Sequence, residues 1–219
     1  MGEEYDLANP AVLALVCASM ALLDWMTDAT GPVVEGHGVI LRPPRVGDYA
    51  AWASLREQSR DYLQPWEPAW PDDDLTRAAY RRRLTVYARE MELGGAWPFF
   101  VLDPTGRTLF GAITLSNIRR GVAETGALGY WIGQPFAGQG HATAAVRAIS
   151  AYAFDTLKLH RLEASCLPGN RSSRRVLEKA GFRHEGEAKA YLKINGVWAD
   201  HLLFGLLSDE VARGGLPSA

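Results

Sequence analysis

The stretch LGYWIGQPFAGQGHATAAVRAISAYAF, Leu128 to Phe154, runs an aromatic, strand-like segment into Gly138-Gln139-Gly140 and then straight into an alanine-rich helical segment. A structural turn can manage with one glycine. Two glycines one residue apart let the backbone turn tightly and let a ligand approach it, because neither carries a Cβ. A helix N-terminus adds unpaired N–H donors and the positive end of the helix dipole, so an anion, above all a diphosphate, is the natural guest. The expected donors are the backbone N–H groups from Gln139 and Gly140 through His141, Ala142 and Thr143, with small Ala142 keeping the first turn open. A plain tight turn would use the same residues. Two nucleotide motifs are excluded. No Gly-Lys-Ser/Thr follows, as a P-loop requires, and Thr143 stands where G-x-G-x-x-G needs glycine or alanine.

The flanking sequence sets the fold class. Val39 to Arg42 reads as a short strand, a proline pair breaks it, and a helix from about Asp48 carries Tyr49, Trp52, Leu55 and Arg56. Asp72 to Asp74 offer capping carboxylates for a second helix ending near Gly94-Gly95, and its Arg81 to Arg83 run reads as a solvated face. WPFFVLD and TLFGAITLSNI flank Pro104-Thr105-Gly106, a hairpin signature. After the glycine turn come a helix, the strand HRLEASCL, a short helix from Asn170 to Ala180-Gly181, and a closing hairpin around Asn195-Gly196. Helix followed by strand implies one crossover among antiparallel pairs. The expected architecture is α/β: a mixed, mainly antiparallel sheet flanked by helices, in one domain over 33–210. Residues 1–32 form an N-terminal extension of open role and 211–219 a tail.

Bulk properties narrow the partners. A net charge of −2 gives no basic field, so direct nucleic-acid binding is not expected. Cys17 and Cys166 match no metal spacing, and a reducing cytoplasm suits them. The apolar run Ala11 to Leu23 is shorter than the about 20 residues that span a bilayer and follows acidic residues, so neither membrane insertion nor a signal peptide is expected. A monomer or a homodimer is expected.

AGQGHATAAV, followed further along by LPGNRSSRRVLEKAGF, resembles the GNAT superfamily of acyl-CoA-dependent N-acyltransferases. With LQPWEP, LGYWIGQPFAGQGHAT and YLKINGVWADH, the chain from about Val39 to Leu207 is similar to the Rim-type ribosomal-protein-alanine N-acetyltransferases. The resemblance implies acetyl-CoA as co-substrate, its pyrophosphate on Gly138 to Thr143, and a protein N-terminus, that of a ribosomal protein included, as acceptor. It also shows departures. Ala137 replaces the usual Gln or Arg of the glycine motif, Leu177 the tyrosine that often protonates the thiolate, and Ala127 the common catalytic glutamate.

Acyl transfer to an amine needs a polarised carbonyl, a neutral amine and a protonated leaving thiolate. By analogy with the family, backbone donors around Ile132 and Gly133 would polarise the carbonyl. The resemblance places Ser173 near the sulfur, while Asn170 reads as the cap of the following helix and a coenzyme contact. Glu124 is a candidate base through water, or simply an exposed turn carboxylate. Arg171, Arg174 and Arg175 are candidates for the coenzyme 3′-phosphate, Arg175 foremost, with a solvated face the alternative. Trp66 and Glu67 in a proline-stiffened loop, with Tyr191 and Asp200 in the closing hairpin, are the candidate acceptor-binding set. No metal ligand set is expected. Two other readings stay open: acetylation of a small amine such as an aminoglycoside or polyamine, and an acyl-CoA-binding regulatory module without catalysis.

Overall fold

A computed structural model describes residues 31–214. Eight strands form one sheet in the order β1-β2-β3-β4-β5-β6-β8-β7. They are β1 (Val34–Gly36), β2 (Val39–Arg42), β3 (Trp97–Leu102), β4 (Leu109–Arg119), β5 (Thr125–Ile132), β6 (Arg161–Cys166), β7 (Arg183–Ile194) and β8 (Val197–Leu207). All neighbours pair antiparallel except β5 and β6, which are parallel. Six helices accompany them among the described residues: α1 (Tyr49–Gln58), α2 (Arg60–Leu63), α3 (Arg77–Glu92), α4 (His141–Ala151), α5 (Arg171–Lys179) and α6 (Ser208–Gly214). The mixed, mainly antiparallel sheet and its single crossover, made by α4, agree with the sequence pattern.

The core has two layers. On one face α4 lays Ala145, Val146, Ala148 and Ile149 against Phe99, Ile113, Leu115 and Leu162, and α5 adds Leu177. On the other, α1 and α3 bring Trp52, Leu55, Tyr80 and Leu84 against Phe100, Leu102 and Leu109. Strand β3 is a continuous apolar run because both of its faces are covered. Its hairpin to β4 closes on Asp103, whose carboxylate accepts the N–H groups of Arg107 and Thr108.

The local structure differs from expectation in four places. The N-cap of α3 is Thr76, whose hydroxyl accepts the Ala79 N–H (3.2 Å), so the acidic triplet does not cap it. Asp73 and Asp74 pair instead with Arg82 and Arg83, and Arg83 lies over the Trp52 ring, so this arginine run is only partly solvated. Strand β1 was not legible, being three residues long. Helix α6 runs past the expected boundary at 210. The apolar run Ala11 to Leu23 and Cys17 lie outside the described residues.

The parallel pairing of β5 with β6 ends at Leu128↔Ala164, although β5 continues to Ile132 and β6 to Cys166. Beyond that point the strands part, and the site sits in the gap.

Candidate functional site

A cavity of about 1040 Å³ opens where β5 and β6 diverge, bounded by the start of α4, by α5, by the 61–68 segment and by the β7–β8 hairpin. Gly138 and Gly140 hold φ +75° and +90°, and a Cβ at either would meet nothing within 4 Å. Backbone conformation, not crowding, therefore demands glycine, and the space above the turn is open. Gly140 is the N-cap of α4, no side chain caps this end, and the first backbone bond is Ala144 N–H to Gly140 C=O (3.0 Å). The N–H groups of His141, Ala142 and Thr143 precede that bond, and all three residues line the cavity. Donors, dipole and open space fit a pyrophosphate. Gln139 does not line the cavity: its Nε2 donates back to the Pro135 carbonyl (2.9 Å) and braces the turn. The His141 ring stacks on Phe110 at 3.9 Å, and burial pushes its imidazole below the ordinary value.

The expected carbonyl-polarising pair divides. Gly133 donates its N–H to the Phe110 carbonyl (2.8 Å), so it is not a free donor, and a Cβ there would run into the Leu55 side chain. Donor direction alternates along a strand, so with Gly133 facing β4, the N–H groups of Ile132 and Tyr130 face the gap. Ile132 keeps its candidacy.

On the face of the sheet that carries α5, Asn170 caps that helix through Oδ1, accepting the Ser173 N–H (3.0 Å). The Ser173 hydroxyl is 2.9 Å from the Tyr130 hydroxyl, which also reaches the Ser173 carbonyl at 3.2 Å. Burial drives the Tyr130 phenol far above its usual range and keeps it a neutral donor. Burial likewise raises the buried Cys166 thiol, and a hydrogen bond from Ser173 pulls the other way. Asn170, Ser173, Tyr130 and Cys166 all line the cavity. Sequence reasoning missed Tyr130 and Cys166, since nothing in either strand announces a contact with a helix that follows later.

The opposite face is built differently. Arg56, only 5% exposed, grips Glu67 with both terminal nitrogens (2.9 and 2.8 Å), and Trp70 Nε1 adds a third donor (2.8 Å). The guanidinium lies over the Trp70 ring at 3.8 Å and the Trp131 ring at 5.0 Å. Glu67 and Trp66 line the cavity, and the Asn195 N–H reaches the Glu67 carbonyl (3.3 Å), so the hairpin tip meets this loop. Asp61 also lines it and was not anticipated. From β8, His201 is 3% exposed and lines the cavity, with Nδ1 3.0 Å from the Ala199 carbonyl.

Glu124, Tyr191 and Asp200 fall outside the cavity lining. Glu124 lies before β5, away from the splayed end, and its carboxylate takes the Gly121 N–H (2.9 Å) and Arg120 (3.1 Å). Its carboxylate serves its own turn and lies outside the cavity lining. Tyr191 sits beside the site, its ring edge-on to His201 at 5.8 Å. Asp200 accepts from Lys189 (2.8 Å) and the Ala190 N–H (2.9 Å), and Lys189 holds its carboxyl below the usual range. It secures the β7 bulge, where Ala190 has φ +46°, and does not reach the cavity lining. Arg171 and Arg175 line the cavity, whereas Arg174 is paired with Glu178 (2.7 Å). Among the described residues no group of side chains could hold a metal ion, and no helix is long and apolar enough to cross a membrane.

A splayed β5–β6 pair over a glycine-turned helix N-terminus fits the acyl-CoA-dependent transferases that the sequence resembles, and the comparisons agree. The acetyltransferase (GNAT) domain family matches residues 39–183, and the chain belongs to it. It is an acetyltransferase of the family that uses acetyl-CoA as co-substrate. The chain is 36% identical over 178 residues, 81% of its length, to the Bacillus subtilis (strain 168) protein called "Probable N-acetyltransferase YjcK", covering 98% of that relative. It is 34% identical over 171 residues to the [ribosomal protein uS5]-alanine N-acetyltransferase of Escherichia coli (strain K12), covering 77% of this chain and 88% of that one. Among solved structures, Mycobacterium smegmatis RimJ in complex with CoA-disulfide superposes with a TM-score of 0.76 at 33% identity, over 86% of this chain and 89% of that one.

Proposed function

We propose that this acetyltransferase moves the acetyl group of acetyl-CoA to the α-amine of a protein N-terminus, of the ribosomal-protein alanine or serine kind, in the cytoplasm. The relatives named for that activity support the reading. The observation that carries it is the acceptor face, where Glu67 is fixed at the cavity by Arg56 and Trp70. The Glu67 charge is paired with Arg56, and three donors fill three of the about four acceptor sites of a carboxylate, so an oriented Glu67 can still accept one N–H from an amine entering beside it. The strand that often carries a glutamate base has Ala127, and Glu124 is engaged in its own turn. A peptide α-amine, with a pKa of about 7.7 to 8.0, is substantially neutral near pH 7.5, whereas a lysine near 10.4 would need a strong base. This weak proton equipment favours the α-amine.

Acetyl-CoA supplies an already activated acyl group, so the chain needs no nucleophile of its own. The Gly138–Thr143 turn takes the pyrophosphate, with Arg171 and Arg175 at the cavity supplying positive charge for the remaining phosphate. The Ile132 N–H polarises the carbonyl. The Ser173 hydroxyl, backed by Tyr130, hydrogen-bonds the departing sulfur. Thiol release from acetyl-CoA, measured against a panel of peptides, aminoglycosides and polyamines, tests the proposal. Turnover is expected with peptides beginning with Ala or Ser. Turnover confined to small amines would replace the acceptor, and tight acetyl-CoA binding without turnover would favour a regulatory module.

A further inference from the structure

The chemistry above leaves one proton without a destination. When the amine nitrogen bonds to the acetyl carbon and the C–S bond breaks, nitrogen must lose a proton while sulfur gains one. The sulfur side has Ser173 and Tyr130. The nitrogen side has had no named group.

The sheet decides which residues can reach that side. Cross-strand partners share a face, and Cys166 stands opposite Leu202. His201 precedes Leu202, so it lies on the face away from Cys166 and Ser173. Tyr130, bonded to Ser173, and Trp131, beneath Arg56, divide between the same two faces. Thus His201 shares the face of Trp131, Arg56 and Glu67, the acceptor side. Its ring is buried, yet it lines the cavity.

The hydrogen bond of His201 fixes its chemistry. The Ala199 carbonyl can only accept, so the Nδ1 it meets at 3.0 Å carries the hydrogen. With the hydrogen on Nδ1 the neutral ring has its lone pair on Nε2, and the one hydrogen bond of this ring among the described residues is that of Nδ1. The edge of Tyr191 holds the ring from the hairpin side. One ring nitrogen of a residue that lines the cavity is thus anchored to the backbone, an arrangement that space-filling alone does not call for.

We propose that His201 is the general base of the transfer, its Nε2 receiving the proton released by the attacking amine, directly or through one water. N–C forms, C–S breaks, one amine proton goes to Nε2, and the thiolate, hydrogen-bonded by the Ser173 hydroxyl on the other face of the sheet, takes up one proton from solvent. The amide and free thiol leave, and His201 returns its proton to solvent. The inference rests on amine acetylation as proposed above.

The test is His201→Asn, since the asparagine amide can still donate to the Ala199 carbonyl. Thiol release with a peptide beginning with Ala should show kcat lowered at least tenfold, KM for acetyl-CoA within about twofold of wild type, and partial recovery on adding imidazole. Wild-type kcat in the variant overturns the proposal, as does a loss that imidazole does not restore, which assigns His201 to packing. If the wild-type protein ignores peptides and accepts another amine, the acceptor reading fails, and the same variant is then read with that amine.

Discussion

The two walls of the cavity are made by different means. The coenzyme wall is short and local, six consecutive residues from Gly138 to Thr143 acting through their backbone, with α5 beside them. The acceptor wall is assembled from side chains brought together over long separations: Arg56 on α1, Glu67 and Trp70 on a loop, Trp131 on β5, His201 on β8. A backbone site tolerates side-chain change as long as the turn conformation survives. A side-chain site depends on each member. This explains how one scaffold can keep one coenzyme while acceptors differ.

The largest expected effect falls on the acceptor wall. Arg56→Ala removes one partner of a nearly buried ion pair and the cation stacked between two tryptophans, and should destabilise the fold by about 3 kcal/mol in urea denaturation. A loss under about 1 kcal/mol would mean the loop is held by other contacts. Next comes the coenzyme wall. Gly140→Val places a branched residue at φ +90° and over the open turn, so acetyl-CoA affinity by calorimetry should fall at least tenfold, about 1.4 kcal/mol. Unchanged affinity in a folded variant would break the comparison. Ser173→Ala should lower kcat by up to about tenfold with coenzyme affinity nearly intact, because a hydrogen bond to the leaving sulfur strengthens in the transition state. Normal turnover per folded molecule would leave Ser173 as a member of the first turn of α5 and nothing more.

The same division governs what could be read from sequence. The glycine turn, the Asn170 cap and the Asn195-Gly196 hairpin were legible because each depends on neighbours in sequence; Asn195 and Gly196 indeed take φ +45° and +84°. The turn residues Pro104-Thr105-Gly106 foretold the antiparallel β3–β4 pair for the same reason. The Tyr130–Ser173 contact was not legible, because it arises only when α5 packs against β5. Asp73 and Asp74 read as caps, since local sequence does not show that Arg82 and Arg83 will compete for them. His201 was passed over because strand alternation alone says nothing about which face meets a cavity. Gly133 looked like a donor until its N–H was seen on Phe110 and its missing Cβ against Leu55.

In the proposed reaction an amine reaches the Glu67 side and meets an acetyl group delivered from the Gly138–Thr143 side. Fragment-mass mapping of the acetylated site, on a peptide that begins with Ala and contains one internal lysine, tests this most directly. The expected result is acetyl on the N-terminal nitrogen alone, with no product when that nitrogen is blocked. Acetyl on the lysine, or product from the blocked peptide, would contradict the account.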